Sequence, residues 1–180
     1  MQRGTDRRSC PRLQLASSPR CAKVRTLMSD SWIRIIPTDP CFVPISDAAK
    51  RGVALLARFA PASESGEPSH DVDAGKVVFI DCGANFSSIT CPWCKALMGL
   101  EWWGERMTAA SASSFSDLMI RTPCCDVTTS LNDLVYDWSQ GFARWWLEVM
   151  NSSVGTLSGT QLAEIGAAVG HEVRAVYVHL

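Results

Sequence analysis

The chain lacks the motifs of the common hydrolases and nucleotide-binding proteins. It has no nucleophile elbow, no glycine-rich phosphate loop and no H-E-x-x-H pair. Its only histidines are His70, His171 and His179. No segment approaches the roughly 20 uninterrupted apolar residues that span a bilayer, and the longest apolar runs, such as Val77 to Ile80, have the length of strands. The apolar stretch of a secretory signal is missing from the first residues, and internal repeats and low-complexity blocks are missing after residue 28. These absences predict a soluble, cytoplasmic protein without membrane contact and leave no catalytic residue to assign. Glu101, Glu105, Asp133 and Asp137 have no partner nucleophile in a catalytic pattern. Asp133 reads as a turn or cap residue after Ser130, and Asp137 as a charge placed favourably beside a helix start.

What is present suffices for a core. A chain of 180 residues with 47% hydrophobic content can form one compact domain, expected over residues 29–180. The net charge of −1 hides an asymmetry: residues 1–28 hold seven basic side chains against the single acid Asp6, leaving ten basic and seventeen acidic residues in the rest. Such a head, with Ser and Pro and little apolar surface, is expected to be a disordered basic extension, with Met28 as the natural start. A transit peptide would fit the Arg and Ser bias, but Pro11 and Pro19 interrupt its amphipathic helix. The acidic body argues against nucleic acid as a partner.

Trp32 to Ile36 predicts a strand ended by Pro37-Thr38-Asp39-Pro40. A helix capped by Ser46 runs to Pro61 through Val53, Leu56 and Ala60. Residues 61–75 read as a solvated loop, Lys76 to Asp81 as a buried strand, residues 97–111 as a helix and Asp117 to Thr122 as a strand. Ser139 predicts a cap for a helix over 140–150, with Phe142, Trp145, Trp146, Val149 and Met150 on one broad face. Ser158 and Gln161 form a capping-box signature for a further helix stopped by Gly170, and Glu172 to His179 predicts a last strand. This order gives an α+β fold with a small mixed sheet and three to four helices.

Eight cysteines without a secretory signal point to a reducing compartment, where thiols bind metal or stay free; the sequons at Asn85 and Asn151 then read as chance. Four of the cysteines form two groups, Cys91-Pro-Trp-Cys94 and Pro123-Cys124-Cys125. Two knuckles of this kind can aim their sulfurs at one point and close a tetrahedral thiolate cage around zinc. Neighbours on an extended strand point to opposite faces, so Cys124 and Cys125 can share one ion only if the backbone turns there, which Pro123 favours. Otherwise the fourth ligand must come from Cys82, His70 or a C-terminal histidine.

Over residues 88–127 the pattern resembles a zinc ribbon, a family with two cysteine knuckles at the ends of paired strands. It departs in having Lys95 where the family has glycine and in the vicinal Cys124-Cys125. With its Trp-Trp pair, Thr-Pro-Cys-Cys, Ser-Leu-Asn-Asp-Leu and Gly-Phe-Ala-Arg, the chain also resembles a bacterial family of uncharacterised small zinc-binding proteins. That resemblance implies no known activity.

Val77 to Asp81 followed by Cys-Pro-Trp-Cys-Lys is similar, too, to thioredoxin and glutaredoxin, in which a cysteine at a helix N-terminus attacks disulfides. The ten residues from Asp81 to Cys91 are too many for the tight strand-to-helix turn of that family. Tandem tryptophans cannot both face one core, so Trp102, Trp103, Trp145 and Trp146 are candidates for binding an unknown protein partner. The sequence thus predicts a zinc-binding interaction module. The alternatives are a thiol-disulfide oxidoreductase using Cys91 and Cys94, and a nucleic-acid-binding zinc ribbon.

Overall fold

The computed structural model describes residues 30–63, 66–72 and 76–179; the basic extension read over 1–28 lies outside them. In chain order the elements are β1 (Ser31–Pro37), α1 (Ser46–Phe59), β2 (Ser69–Val72), β3 (Val78–Ile80), β4 (Ile89–Thr90), β5 (Leu97–Met98) and α2 (Leu100–Ala112). They continue with β6 (Met119–Arg121), β7 (Thr128–Ser130), β8 (Val135–Tyr136), β9 (Gly141–Ala143), β10 (Trp145–Met150), α3 (Gly159–Val169) and β11 (Val173–His179). The class is α+β, with three α-helices among the described residues and a 3-10 turn over Leu131–Asp133.

The main sheet has the order β11-β1-β10-β2 and is antiparallel throughout. The helices α1 and α3 cover one face, where Ile33, Ile35, Leu56, Trp145, Leu147, Ile165 and Val169 form a core. Gly52 lets the helices meet: a Cβ there would lie 2.7 Å from Val169 Cγ1 and 3.1 Å from Leu147 Cδ1. The opposite face carries Ile36, Val176 and Val178, packed with Ile80, Cys82 and Ala143 from the β3–β9 side. A further core joins Ile89, Met98, Ile120, Leu131, Tyr136 and Phe142 with Trp102 and Trp103 of α2. Each fully buried Leu or Ile contributes about 1.5–3 kcal/mol, whereas an exposed pair such as Arg58–Glu164 contributes about 0–1 kcal/mol. Packing across these layers therefore holds the fold.

Asn132 ties the layers together. Its side-chain amide donates to the Thr38 carbonyl at 2.9 Å, and its Oδ1 accepts from the Phe142 amide at 3.1 Å and from the Arg174 guanidinium. Gly141 leaves room for this junction, since a Cβ there would lie 2.8 Å from Arg174 Cζ and 2.9 Å from Asn132 Oδ1.

Several sequence expectations need correction. The helix expected over 140–150 is two strands, β9 and β10, and Ser139 caps nothing helical. Burial in β10 alternates strictly, placing Trp145, Leu147 and Val149 inward; apolar residues at 145, 146, 149 and 150 satisfy both periods, and pairing with β1 and β2 decides for the strand. The loop expected over 61–75 contains β2, whose polar sequence Ser-His-Asp-Val gives no apolar signal. Leu97 and Met98 belong to β5, so α2 begins three residues later than the helix expected from residue 97. The cap of α1 is Ile45, without a side-chain bond, in place of Ser46. Asp137 stands beside no helix start; it accepts the Ser87 hydroxyl. The capping box of Ser158 and Gln161 and the left-handed stop at Gly170 (φ 90°) are present as expected.

Candidate metal centre

Both cysteine groups lie on hairpin turns built alike. Cys91 to Lys95 turn between β4 and β5, which pair Thr90 with Leu97. Thr122 to Asp126 turn between β6 and β7, which pair Arg121 with Thr128. In the first turn the Cys91 amide donates to Ala96 O (2.9 Å) and the Lys95 amide to Cys91 O (3.1 Å). In the second the Thr122 amide donates to Val127 O (3.0 Å) and the Asp126 amide to Thr122 O (3.1 Å). Each turn ends in a left-handed residue, Lys95 at φ 61° and Asp126 at φ 59°. Local bonds hold these two non-glycine residues: Lys95 Nζ donates to Pro92 O at 2.6 Å, and Asp126 receives Arg121 Nε at 2.7 Å.

The backbone therefore turns at Pro123, and both vicinal cysteines face one point. Cys91, Cys94, Cys124 and Cys125 have their sulfurs within 4.8 Å of one another and could hold a metal ion. Contacts within the group run 3.3 Å for Cys94–Cys124, 3.8 Å for Cys91–Cys125 and 4.0 Å for Cys124–Cys125. A tetrahedron with metal–sulfur bonds near 2.3 Å has edges of about 3.8 Å, so the group has the dimensions of such a cage. Cys91 is fully buried and Cys125 half-buried, while Cys94 and Cys124 are exposed. The Thr122 hydroxyl lies 3.3 Å from the Cys125 sulfur.

The thiols titrate apart. The Cys94 backbone amide, helped by that of Trp93, holds the Cys91 thiol down to about 6 against the opposing effect of burial. The Cys94 sulfur, together with burial and the other sulfurs, pushes Cys124 up to about 12. Four thiolates so close would repel one another, and a cation held among them would allow all four to ionise.

The remaining candidates lie elsewhere. Cys82 is fully buried, its thiol 3.5 Å from Gln140 Oε1 and raised by burial, and it stands outside the four-sulfur group. His70 is on β2 with its ring 6.3 Å from that of Trp145, and His179 meets the Trp138 ring at 5.9 Å. Trp145 is 1% exposed in the main core. Trp146 is half-buried and donates to Glu148 at 3.2 Å; Trp103 is half-buried and donates to Tyr136 Oη at 3.3 Å; Trp102 packs against the same core. No helix among the described residues is long and apolar enough to cross a membrane.

Sequence reasoning missed the open apolar surface beside the cluster. Trp93, between the two cysteines of the first turn, is 63% exposed, and Leu97 and Val135 are 75% and 47% exposed. Leu97 and Val135 both pair with Thr90, from opposite sides, so the three share the outer face of the sheet β5-β4-β8. The alternation of Thr90 and Leu97 against the buried Ile89 and Met98 carried that signal. The equivalence of the turns was legible as Cys-Pro-Trp-Cys-Lys against Thr-Pro-Cys-Cys-Asp, aligned on proline and the last cysteine. No protein-family profile, curated protein sequence or solved structure matches the chain.

Proposed function

We propose that the four cysteines hold one structural zinc ion and that the protein works as a zinc-stabilised interaction module in a reducing compartment such as the cytoplasm. The observation that carries this reading is the convergence of four sulfurs, from two hairpin turns of matching hydrogen-bond pattern, into a group of tetrahedral dimensions. An all-thiolate tetrahedral donor set favours zinc, with iron its chief rival. Two knuckles on two hairpins agree with the zinc-ribbon resemblance over residues 88–127, although α2 separates them. The outer row of Leu97, Thr90 and Val135, with Trp93 beside it, is the surface offered to a protein partner.

The oxidoreductase alternative draws no support from the local geometry. Cys91 and Cys94 lie on a hairpin turn, and α2 begins only at Leu100, so neither thiol has the helix N-terminus that activates the thioredoxin cysteine.

Elemental analysis of protein purified under reducing conditions tests the reading. About one zinc per chain is expected, and Cys91→Ser should lower both zinc content and melting temperature, because ligand convergence couples binding to folding. Metal-free protein, or iron in place of zinc, would refute the assignment.

A further inference from the structure

The four sulfurs are not equivalent in exposure or in spacing. Cys91 is fully buried, and Cys125 is half-buried with the Thr122 hydroxyl against its sulfur. Cys94 and Cys124 are the two that face solvent, and theirs is the shortest sulfur contact of the group, 3.3 Å. Cys124 also sits off the usual ligand position. By the matching of the turns, Thr122 stands where Cys91 stands and Cys124 stands where the exposed Trp93 stands, so one ligand comes from the outward-facing tip of its turn.

We propose that Cys94 and Cys124 are a modification site for hydroperoxides, forming a disulfide that discharges the zinc ion; this rests on the zinc reading above. An exposed thiolate of the pair attacks the terminal oxygen of the hydroperoxide. Its sulfur is oxidised to a sulfenic acid, the O–O bond breaks, and the alkoxide or hydroxide leaves and takes up a proton. The second thiolate then attacks the sulfenic sulfur, the S–S bond forms, and hydroxide departs and is protonated to water. In sum, two thiolates, one hydroperoxide and two protons give one disulfide, one alcohol (or water, from hydrogen peroxide) and one water. The sulfurs need only close from 3.3 Å to the ~2.05 Å of a disulfide bond. Zinc, left with Cys91 and Cys125, loses half its donor set and is released.

The test uses the full chain carrying Cys10→Ser, Cys21→Ser and Cys41→Ser, so that of the eight cysteines only Cys82 and the four of the cluster remain. Metal content of the reduced protein is measured first; if no zinc is present, the zinc reading itself fails. The zinc-loaded protein is then treated with hydrogen peroxide beside a metallochromic dye, alkylated and mapped by peptide mass spectrometry. The expected result is release of about one zinc per chain at a rate proportional to peroxide, loss of two thiols, a Cys94–Cys124 cross-link, and recovery of binding with dithiothreitol and zinc. Zinc retained under peroxide, or a cross-link joining Cys91 to Cys125 or Cys124 to Cys125, would overturn the proposal while leaving the zinc reading intact.

Discussion

Cys91 and Thr122 are structural equivalents: each accepts at its carbonyl the amide of a left-handed residue four positions on, at 3.1 Å, and each directs its own side chain into the same cluster. The second turn thus has the backbone of a two-cysteine knuckle with its first sulfur displaced from position 122 to position 124.

That equivalence can be tested by moving the sulfur back. Cys124→Ser should weaken zinc binding on the scale of a lost thiolate ligand, tenfold or more. Adding Thr122→Cys to it should restore binding, because position 122 has the backbone that presents Cys91. Competition with a chromophoric chelator measures both; a double variant no better than the single one would show that the turns present their side chains differently.

Lys95 holds a left-handed conformation that costs a residue with a Cβ about 1–2 kcal/mol. Lys95→Gly removes that strain and loses the bond to Pro92 O, so stability should hold level or rise by up to about 1 kcal/mol. Lys95→Val, whose branched Cβ fits this region worst, should lose about 1–2 kcal/mol. Denaturant titrations at fixed free zinc decide between these outcomes.

The Asp137 carboxyl is held down to about 2 from 3.8, chiefly by the Ser87 hydroxyl and then by backbone amides. A carboxyl depressed on folding adds stability that is fully present above its unfolded value and is lost as pH falls through its folded value. The contribution should therefore disappear between about pH 4 and pH 2. An NMR titration of the side-chain carbon should show a midpoint near 2 that moves toward 3.8 in Ser87→Ala; an unmoved midpoint would assign the depression to the amides alone.

Leu97→Ser changes a side chain on the open sheet face, so stability should shift by no more than about 0.5 kcal/mol and zinc content should stay constant. Binding of a protein partner should weaken. Loss of fold or metal in this variant would mean that the row is part of the packed structure.

Gly141→Ala should cost about 1–3 kcal/mol, because the new methyl would displace the Arg174 guanidinium from Asn132. Thermal melting monitored separately at the sheet and at the cysteine turns should show both weakened, since Asn132 bonds to Thr38 and Phe142 as well.

How far the sequence could be read depended on whether a local signal was unique. Residues 46–59 and 159–169 carry helical spacing, and the second carries a reciprocal cap, so both helices were legible to within a residue or so. The strands at 31–37 and 173–179 were legible from short apolar runs between turn residues. Trp145 to Met150 were misread because their apolar positions satisfy both helical and strand periods, and only the partner strands β1 and β2 settle the matter. Ser69 to Val72 were missed because an edge strand needs pairing more than hydrophobicity. The four cysteines of the cluster were legible as a set. The displacement of one sulfur to Cys124 could be read by aligning Cys-Pro-Trp-Cys-Lys with Thr-Pro-Cys-Cys-Asp, but that both turns share one backbone rests on hydrogen bonds that only the structure gives.

The central place of β1 in the main sheet bears on how the protein is born. Ser31 bonds to Asn151, 120 residues further along, and the other neighbour of β1, β11, follows later still. During synthesis the cysteine turns, whose backbone bonds span only a few residues, can close and capture metal while Ile33, Ile35 and Ile36 still wait for the strands that will cover them. Closing such distant pairings is slow, and a waiting apolar strand is prone to aggregate. The emerging chain, more than the finished molecule, is where Ile33, Ile35 and Ile36 are open to aggregation.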